Sequence, residues 1–204
     1  MANKSDLDKK KRVDNFLYQR EIMLNQGYKA HNGTISIIKA NLMVFVTAGP
    51  FALLAVLIYL LLYGEIINYD NLNIASYNIT LFLFIISIPV HEFLHGFTWH
   101  FYCKEKWKSI HFGVMWKYLT PYCHCKEPLK FGGYLLGVLM PFFILGIGGS
   151  ILGILLQNAL LLFFGILNIL AAGGDTTIAL MLRKFRKAII IDHPNECGFV
   201  AFMK

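Results

Sequence analysis

The sequence predicts an all-α polytopic membrane protein with about four transmembrane helices. Of its 204 residues, 56% are hydrophobic and only 15% are charged, whereas soluble domains carry about 25% charged residues. A membrane-spanning helix needs about 20 predominantly apolar residues, and four stretches of the chain reach that length. They are residues 41–63, 77–101, 134–156 and 159–182.

The basic residues predict how these helices are oriented. All 19 Lys and Arg residues lie before the first stretch, between the second and third, or after the fourth, and loops 64–76 and 157–158 have none. Because basic residues concentrate in cytoplasmic loops, we expect a multi-pass protein of the cell membrane with both termini cytoplasmic. The net charge of +7 then reflects topology and attraction to the lipid bilayer, so no nucleic-acid partner is expected.

The segments around the helices divide the chain further. We expect residues 1–40 to form a cytosolic N-terminal extension and residues 41–204 to form the membrane-embedded domain. Between the second and third spans, residues 109–116 and 121–126 have the aromatic and β-branched content of strands. They predict a small hairpin at the cytoplasmic face. The polar, Asn-rich loop 64–76 is expected to be an external turn.

One motif in the second span carries the chemistry, the segment His91-Glu92-Phe93-Leu94-His95. Histidines four residues apart lie on one face of a helix, where they can bind one zinc ion while the intervening Glu92 acts as a base on water activated by the metal. The alternative is a pair of helix histidines with a satisfied carboxylate. That arrangement is costly in a lipid-facing span, because ionisable groups there need partners and usually serve a function.

A third metal ligand has to come from another part of the chain, since catalytic zinc sites typically have three protein ligands. The fourth span contains Gly173-Gly174-Asp175. At a rise of 1.5 Å per residue, Asp175 and the histidine motif both lie about 10–12 Å inside the cytoplasmic face. This equal depth predicts Asp175 as the third ligand. The alternative role for Asp175 is a helix-capping or interhelical hydrogen bond.

The segment Cys123-His124-Cys125 resembles a second zinc site at first sight. In a strand, however, the two cysteines share one face and the histidine points to the other. Structural zinc sites favour a wider spacing of cysteines. We therefore favour a structural or substrate-groove role for this segment over a second metal.

Glycines recur in the third span at two G-x-x-x-G spacings. Small residues at this spacing let transmembrane helices approach closely. They predict helix packing rather than a direct role in chemistry. The glycines are Gly133, Gly137, Gly149 and Gly153.

Together these motifs resemble a bacterial family of zincin peptidases, small membrane proteins grouped with the site-2-protease-like intramembrane metalloproteases. The matching pieces cover about residues 80–200. They are His91–Gly96, Tyr122–Leu129, Met140–Gly146, Ala172–Asp175 and Asp192–Glu196. The resemblance implies a helical membrane core that binds Zn²⁺ through His91, His95 and Asp175, with Glu92 catalytic.

The expected function is that of a zinc-dependent membrane endopeptidase, which would hydrolyse a membrane protein or peptide substrate through water activated by the metal. Two alternatives remain open. A non-catalytic metal-binding membrane regulator would not need Glu92 as a base. A small ion or metal transporter would use Glu92 and Asp175 to carry protons or ions, but the four spans show no inverted repeat of the kind common in transporters.

Overall fold

The computed structural model describes residues 4–65, 74–116 and 120–204, and most of the predicted external turn at 64–76 lies outside them. A π-helical segment, Phe142–Gly148, connects α5 to α6. The helices are α1 (Lys4–Asn25), α2 (Ile37–Thr47), α3 (Gly49–Tyr63), α4 (Ile74–His100), α5 (Phe131–Pro141), α6 (Gly149–Leu155), α7 (Ala159–Ala171) and α8 (Gly173–Leu182). The strands are β1 (Lys29–Ile35), β2 (Ile110–Met115), β3 (Thr120–Cys125), β4 (Leu129–Lys130), β5 (Ile189–Asp192) and β6 (Cys197–Met203).

Three helical segments are long and apolar enough to cross a membrane: Ile37–Tyr63, Ile74–His100 and Phe131–Leu155. A fourth is a helix pair, Ala159–Ala171 and Gly173–Phe185, which is bent by 47°. Many large apolar side chains on these helices are exposed on the protein surface, as expected where the surrounding solvent is lipid. About four spans were predicted, and the described residues contain three candidates, or four if the bent pair forms one span. The side of the membrane on which each terminus lies remains a prediction.

The prediction of an all-α fold was wrong, because the chain also forms a four-stranded antiparallel sheet in the order β1-β6-β5-β4. Strand β6 is buried at every position from Gly198 to Phe202. An apolar run of that kind shows no alternation and cannot be told from a helix segment by periodicity. The predicted hairpin is confirmed: β2 and β3 pair with Ile110 opposite Cys125 and Met115 opposite Thr120.

The sheet packs between the long apolar helices and the N-terminal helix. Its residues Ile190 and Phe199 share a core cluster with Trp99 of α4 and Leu182 of α8. A separate cluster joins Phe16 of α1 to Phe202 of β6. Although the proposed division at residue 40 stays a prediction, β1 is firmly part of this sheet through its seven-residue pairing with β6.

The bend between α7 and α8 sets the position of the first turn of α8. Hydroxyl groups hold this turn against α2: Thr176 donates to Thr47 over 2.8 Å, and the Thr47 and Thr177 hydroxyls are 3.2 Å apart. Thr177 also donates to the carbonyl oxygen of Gly173 over 2.8 Å. Asp175 lies within this turn, so these hydrogen bonds also fix the backbone that positions its carboxylate.

Candidate metal centre

Three predicted ligands from two helices meet inside the helical bundle. The Oδ2 atom of Asp175 is 3.0 Å from His91 Nε2, and its Oδ1 atom is 3.5 Å from His95 Nε2. The side chains of His91, His95 and Asp175 are only 13%, 7% and 17% exposed. The structure thus brings together the three side chains proposed as ligands, with each carboxylate oxygen directed to one imidazole.

The imidazole of His95 is held in one orientation by its surroundings. Its Nδ1 atom is 2.8 Å from the carbonyl oxygen of Gly137, which can only accept a hydrogen bond, so Nδ1 carries the proton and Nε2 has the free lone pair. The ring also stacks on Trp99 at 5.4 Å and 17°. The indole is itself fixed, since its Nε1–H donates to the carbonyl oxygen of Tyr134 over 3.1 Å. Metal-binding histidines are commonly oriented by such hydrogen bonds.

Glu92 lies beside these groups but has a different partner. Its carboxylate accepts a hydrogen bond from the backbone N–H of Cys123 in β3. Potential ligand atoms of His91, Glu92 and His95 all lie within 4.8 Å of one another, so Glu92 could also reach a metal. We favour Asp175 as the third ligand because both of its oxygens face the imidazole nitrogens, while Glu92 is directed to the edge of the hairpin.

A cavity of about 970 Å³ connects this centre to the segments outside the spans. Its walls combine the four side chains of the centre with residues of α1, the hairpin and the turn after β5. Water can therefore reach a site on helices that are long and apolar enough to cross a membrane. The lining includes Arg12, His91, Glu92, His95, His111, Cys123, His124, Asp175, Asp192 and Cys197.

A second polar network at the cavity was not recognised in the sequence. Its centre is Asp192, whose Oδ2 atom is 2.8 Å from His124 Nδ1 and accepts from the N–H of Cys125 over 3.3 Å. The Tyr134 hydroxyl donates to Asp192 Oδ1 over 2.7 Å. Asp192 follows an apolar run and has no nearby motif partner in sequence, so only its place in the resemblance to the peptidase family gave a signal.

The segment Cys123-His124-Cys125 divides its side chains among different neighbours. The Sγ atom of Cys125 lies 3.5 Å from Cys103 Sγ in the core, and His124 contacts Asp192. Burial, followed by the negative charges of Glu92 and Asp192, raises the pKa of the Cys123 thiol. A protonated thiol is a poor metal ligand, and these three residues do not converge on one point.

Comparison with known proteins places the chain in a family. A family model described as "Putative zincin peptidase" matches residues 84–190, which include the histidine motif, the hairpin and Asp175. The chain belongs to this family. A search of curated proteins and a search of solved structures each found no match.

The residues at the centre fit the zinc that the family name implies. Two imidazoles and one carboxylate are a common donor set for catalytic zinc. The free Nε2 lone pair of His95 and the converging oxygens of Asp175 are in the state that binding requires. A zinc metallopeptidase is the class of protein that both the family and the donor set indicate.

Proposed function

We propose that the protein is a zinc-dependent membrane endopeptidase of the site-2-protease-like kind. One observation carries the proposal: His91, His95, Asp175 and Glu92 converge at a water-accessible cavity. The helix that bears the two histidines and Glu92 is long enough to span the membrane. A metal-binding regulator would need the ligands alone. A carboxylate placed beside them and opening to the same cavity favours turnover.

Each residue of the centre has one role in the proposed reaction. His91, His95 and Asp175 would hold the ion. When bound, zinc would act as a Lewis acid, which lowers the pKa of a water molecule to about 7 and polarises the scissile carbonyl. Glu92 accepts the proton lost by the attacking water and later delivers it to the amine of the leaving peptide. Its hydrogen bond from Cys123 N–H keeps the carboxylate pointing toward the cavity.

The proposed substrates are transmembrane or membrane-adjacent segments of other proteins. A peptide bond inside a helix is shielded by its own hydrogen bonds, so the substrate has to unwind locally before its carbonyl reaches the centre. The cavity is lined by the hairpin and by the turn after β5, which lie outside the spans. We therefore place cleavage at or just inside the face of the membrane that carries the sheet. The distribution of Lys and Arg residues predicts that this face is the cytoplasmic one.

The first test measures zinc content and cleavage on the same detergent-purified samples. We expect about one zinc per chain in the wild type, much weaker zinc binding in Asp175→Asn, and full zinc content in Glu92→Gln. Cleavage of synthetic single-span peptides in micelles, followed by mass spectrometry, should be seen in the wild type and be lost in Glu92→Gln. These two variants separate metal binding from proton transfer.

Several outcomes would contradict the proposal. Undiminished cleavage by Glu92→Gln would remove the proposed base, and wild-type zinc affinity in Asp175→Asn would remove the third ligand. Zinc binding without cleavage of any peptide in the set would favour the metal-binding regulator. Metal flux across proteoliposomes would instead favour the transporter.

A further inference from the structure

A buried histidine at the same cavity has no role in the peptidase reaction proposed for the metal centre. His124 is only 4% exposed and lines the cavity together with the metal centre. Its Nδ1 atom is 2.8 Å from a carboxylate oxygen of Asp192. A carboxylate accepts hydrogen bonds, so Nδ1 carries a proton. The Nε2 atom makes no hydrogen bond to any residue that the structure describes.

Asp192, which orients His124, is itself fixed by hydrogen bonds. The hydroxyl of Tyr134 donates to its Oδ1 atom over 2.7 Å, and the N–H of Cys125 donates to its Oδ2 atom over 3.3 Å. Three donors, two from β3 and one from α5, thus fix one carboxylate. In such an arrangement the carboxylate determines the tautomer and the direction of the imidazole, and it stabilises the imidazolium form.

Strand β3 links this network to the proposed base. The outer edge of β3 donates the N–H of Cys123 to Glu92 and the N–H of Cys125 to Asp192. These two N–H groups are two residues apart and so are separated by about 7 Å along the strand. His124 lies between them in the chain. The base and the histidine–aspartate pair therefore border the same short stretch of the cavity wall.

We propose that His124 is a second catalytic residue, which donates a hydrogen bond from Nε2–H to the substrate carbonyl oxygen as negative charge develops on it. In this role the proton shared with the substrate oxygen stays on Nε2 throughout, so no N–H bond is broken. Asp192 is a positioning residue that acts through His124. This inference rests on the proposed peptidase function and adds an electrostatic contribution from the hairpin. Removal of one such donor typically lowers kcat about 100- to 1,000-fold.

The kinetic test compares His124→Gln with a matched histidine variant elsewhere in the sheet. We expect His124→Gln to keep its zinc but to lose about 100-fold in kcat with little change in KM. Asp192→Asn should lower kcat less, because His124 is still present but no longer oriented. His31→Gln is the control, since His31 is an exposed residue of β1 and should behave as the wild type. A kcat for His124→Gln equal to that of the control would overturn the inference while leaving the proposed peptidase intact.

A second test does not depend on turnover, and one of its two readouts needs no variant. A phosphinic peptide has tetrahedral geometry and charged oxygens, and its binding to the zinc-loaded protein can be measured by calorimetry. We expect at least about tenfold weaker binding by His124→Gln, within the range typical of a lost charge-assisted hydrogen bond. In the wild type, the ¹⁵N resonance of His124 Nε2 should shift when the peptide binds. An Nε2 resonance that does not respond would overturn the role of His124, whereas no binding and no cleavage by the zinc-loaded wild type would overturn the peptidase proposal as well.

Discussion

Replacement of Gly137 by alanine tests whether the packing behind His95 maintains the metal centre. A Cβ atom at Gly137 would lie 2.1 Å from Trp99 Nε1. Ordinary contact begins at 3.4 Å, so the indole must move by about 1.3 Å. That indole stacks on His95 and donates to the carbonyl oxygen of Tyr134. The carbonyl of Gly137 itself accepts from His95, so both supports of the imidazole change together.

The expected loss has two parts. Overpacking a well-filled site costs about 1–3 kcal/mol, and a lost hydrogen bond of the indole costs about 1 kcal/mol, so the free energy of unfolding should fall by about 2–4 kcal/mol. Zinc affinity should fall about 10- to 100-fold, as is typical when groups that orient a ligand are disturbed. Competition with a chromophoric chelator measures the affinity, and thermal unfolding in detergent measures the stability.

Gly132 provides a matched control in the same helix. A Cβ atom there meets nothing within 4 Å, so Gly132→Ala gains the same helix propensity without the clash. We expect its zinc affinity to equal that of the wild type. If Gly137→Ala and Gly132→Ala bound zinc equally well, the argument that Trp99 and the Gly137 carbonyl hold His95 in place would be refuted.

Three further predictions concern packing, thiols and acid stability. Gly165→Ala should lower the melting temperature because its Cβ would lie 2.3 Å from the backbone nitrogen of Ser150, whereas Gly174→Ala, with nothing within 4 Å, should not. Burial raises the pKa of Cys197 from 9.0 to about 11. At pH 8 its thiolate fraction should therefore be about 100-fold below that of a free thiol, and its alkylation should be slower by the same factor. Mass spectrometry follows the alkylation. For Glu127, burial acts to raise the pKa, but hydrogen bonds from a serine hydroxyl and two backbone N–H groups bring it below its usual 4.5. The resulting stabilisation is present above pH 4.5 and is lost as the pH falls through the lowered pKa, so Glu127→Gln should show a smaller drop in melting temperature on acidification.

The sequence was most informative where a single physical constraint dominated. Hydrophobic length identified the spans, and equal depth in the membrane singled out Asp175, which the structure brings to both histidines. The hairpin was recognisable because aromatic and β-branched residues were interrupted by a turn. In each of these cases the signal was local, or depended only on distance along a helix axis.

The remaining features depend on contacts between distant segments, which leave little trace in one sequence. Strand β1 reads Lys-Ala-His-Asn-Gly-Thr-Ile and is mostly polar, so it becomes a strand only through its pairing with β6. The role of Asp192 likewise depends on three donors from β3 and α5, which are distant from Asp192 in the sequence. The alternation rule correctly placed His124 on the opposite face of the strand from its cysteine neighbours. It could not identify Asp192 as the partner of His124 on that face.

The pairing of β1 with β6 also constrains the order in which the molecule can be made. Lys29 lies opposite Met203, so β1 has to wait for β6, which is translated only after helices α2 to α8. Until then β1 presents an unpaired edge, which is prone to association with other chains. Contacts so distant in sequence form slowly. Completion of the sheet is therefore expected late in folding, because β6 follows every helix in the chain.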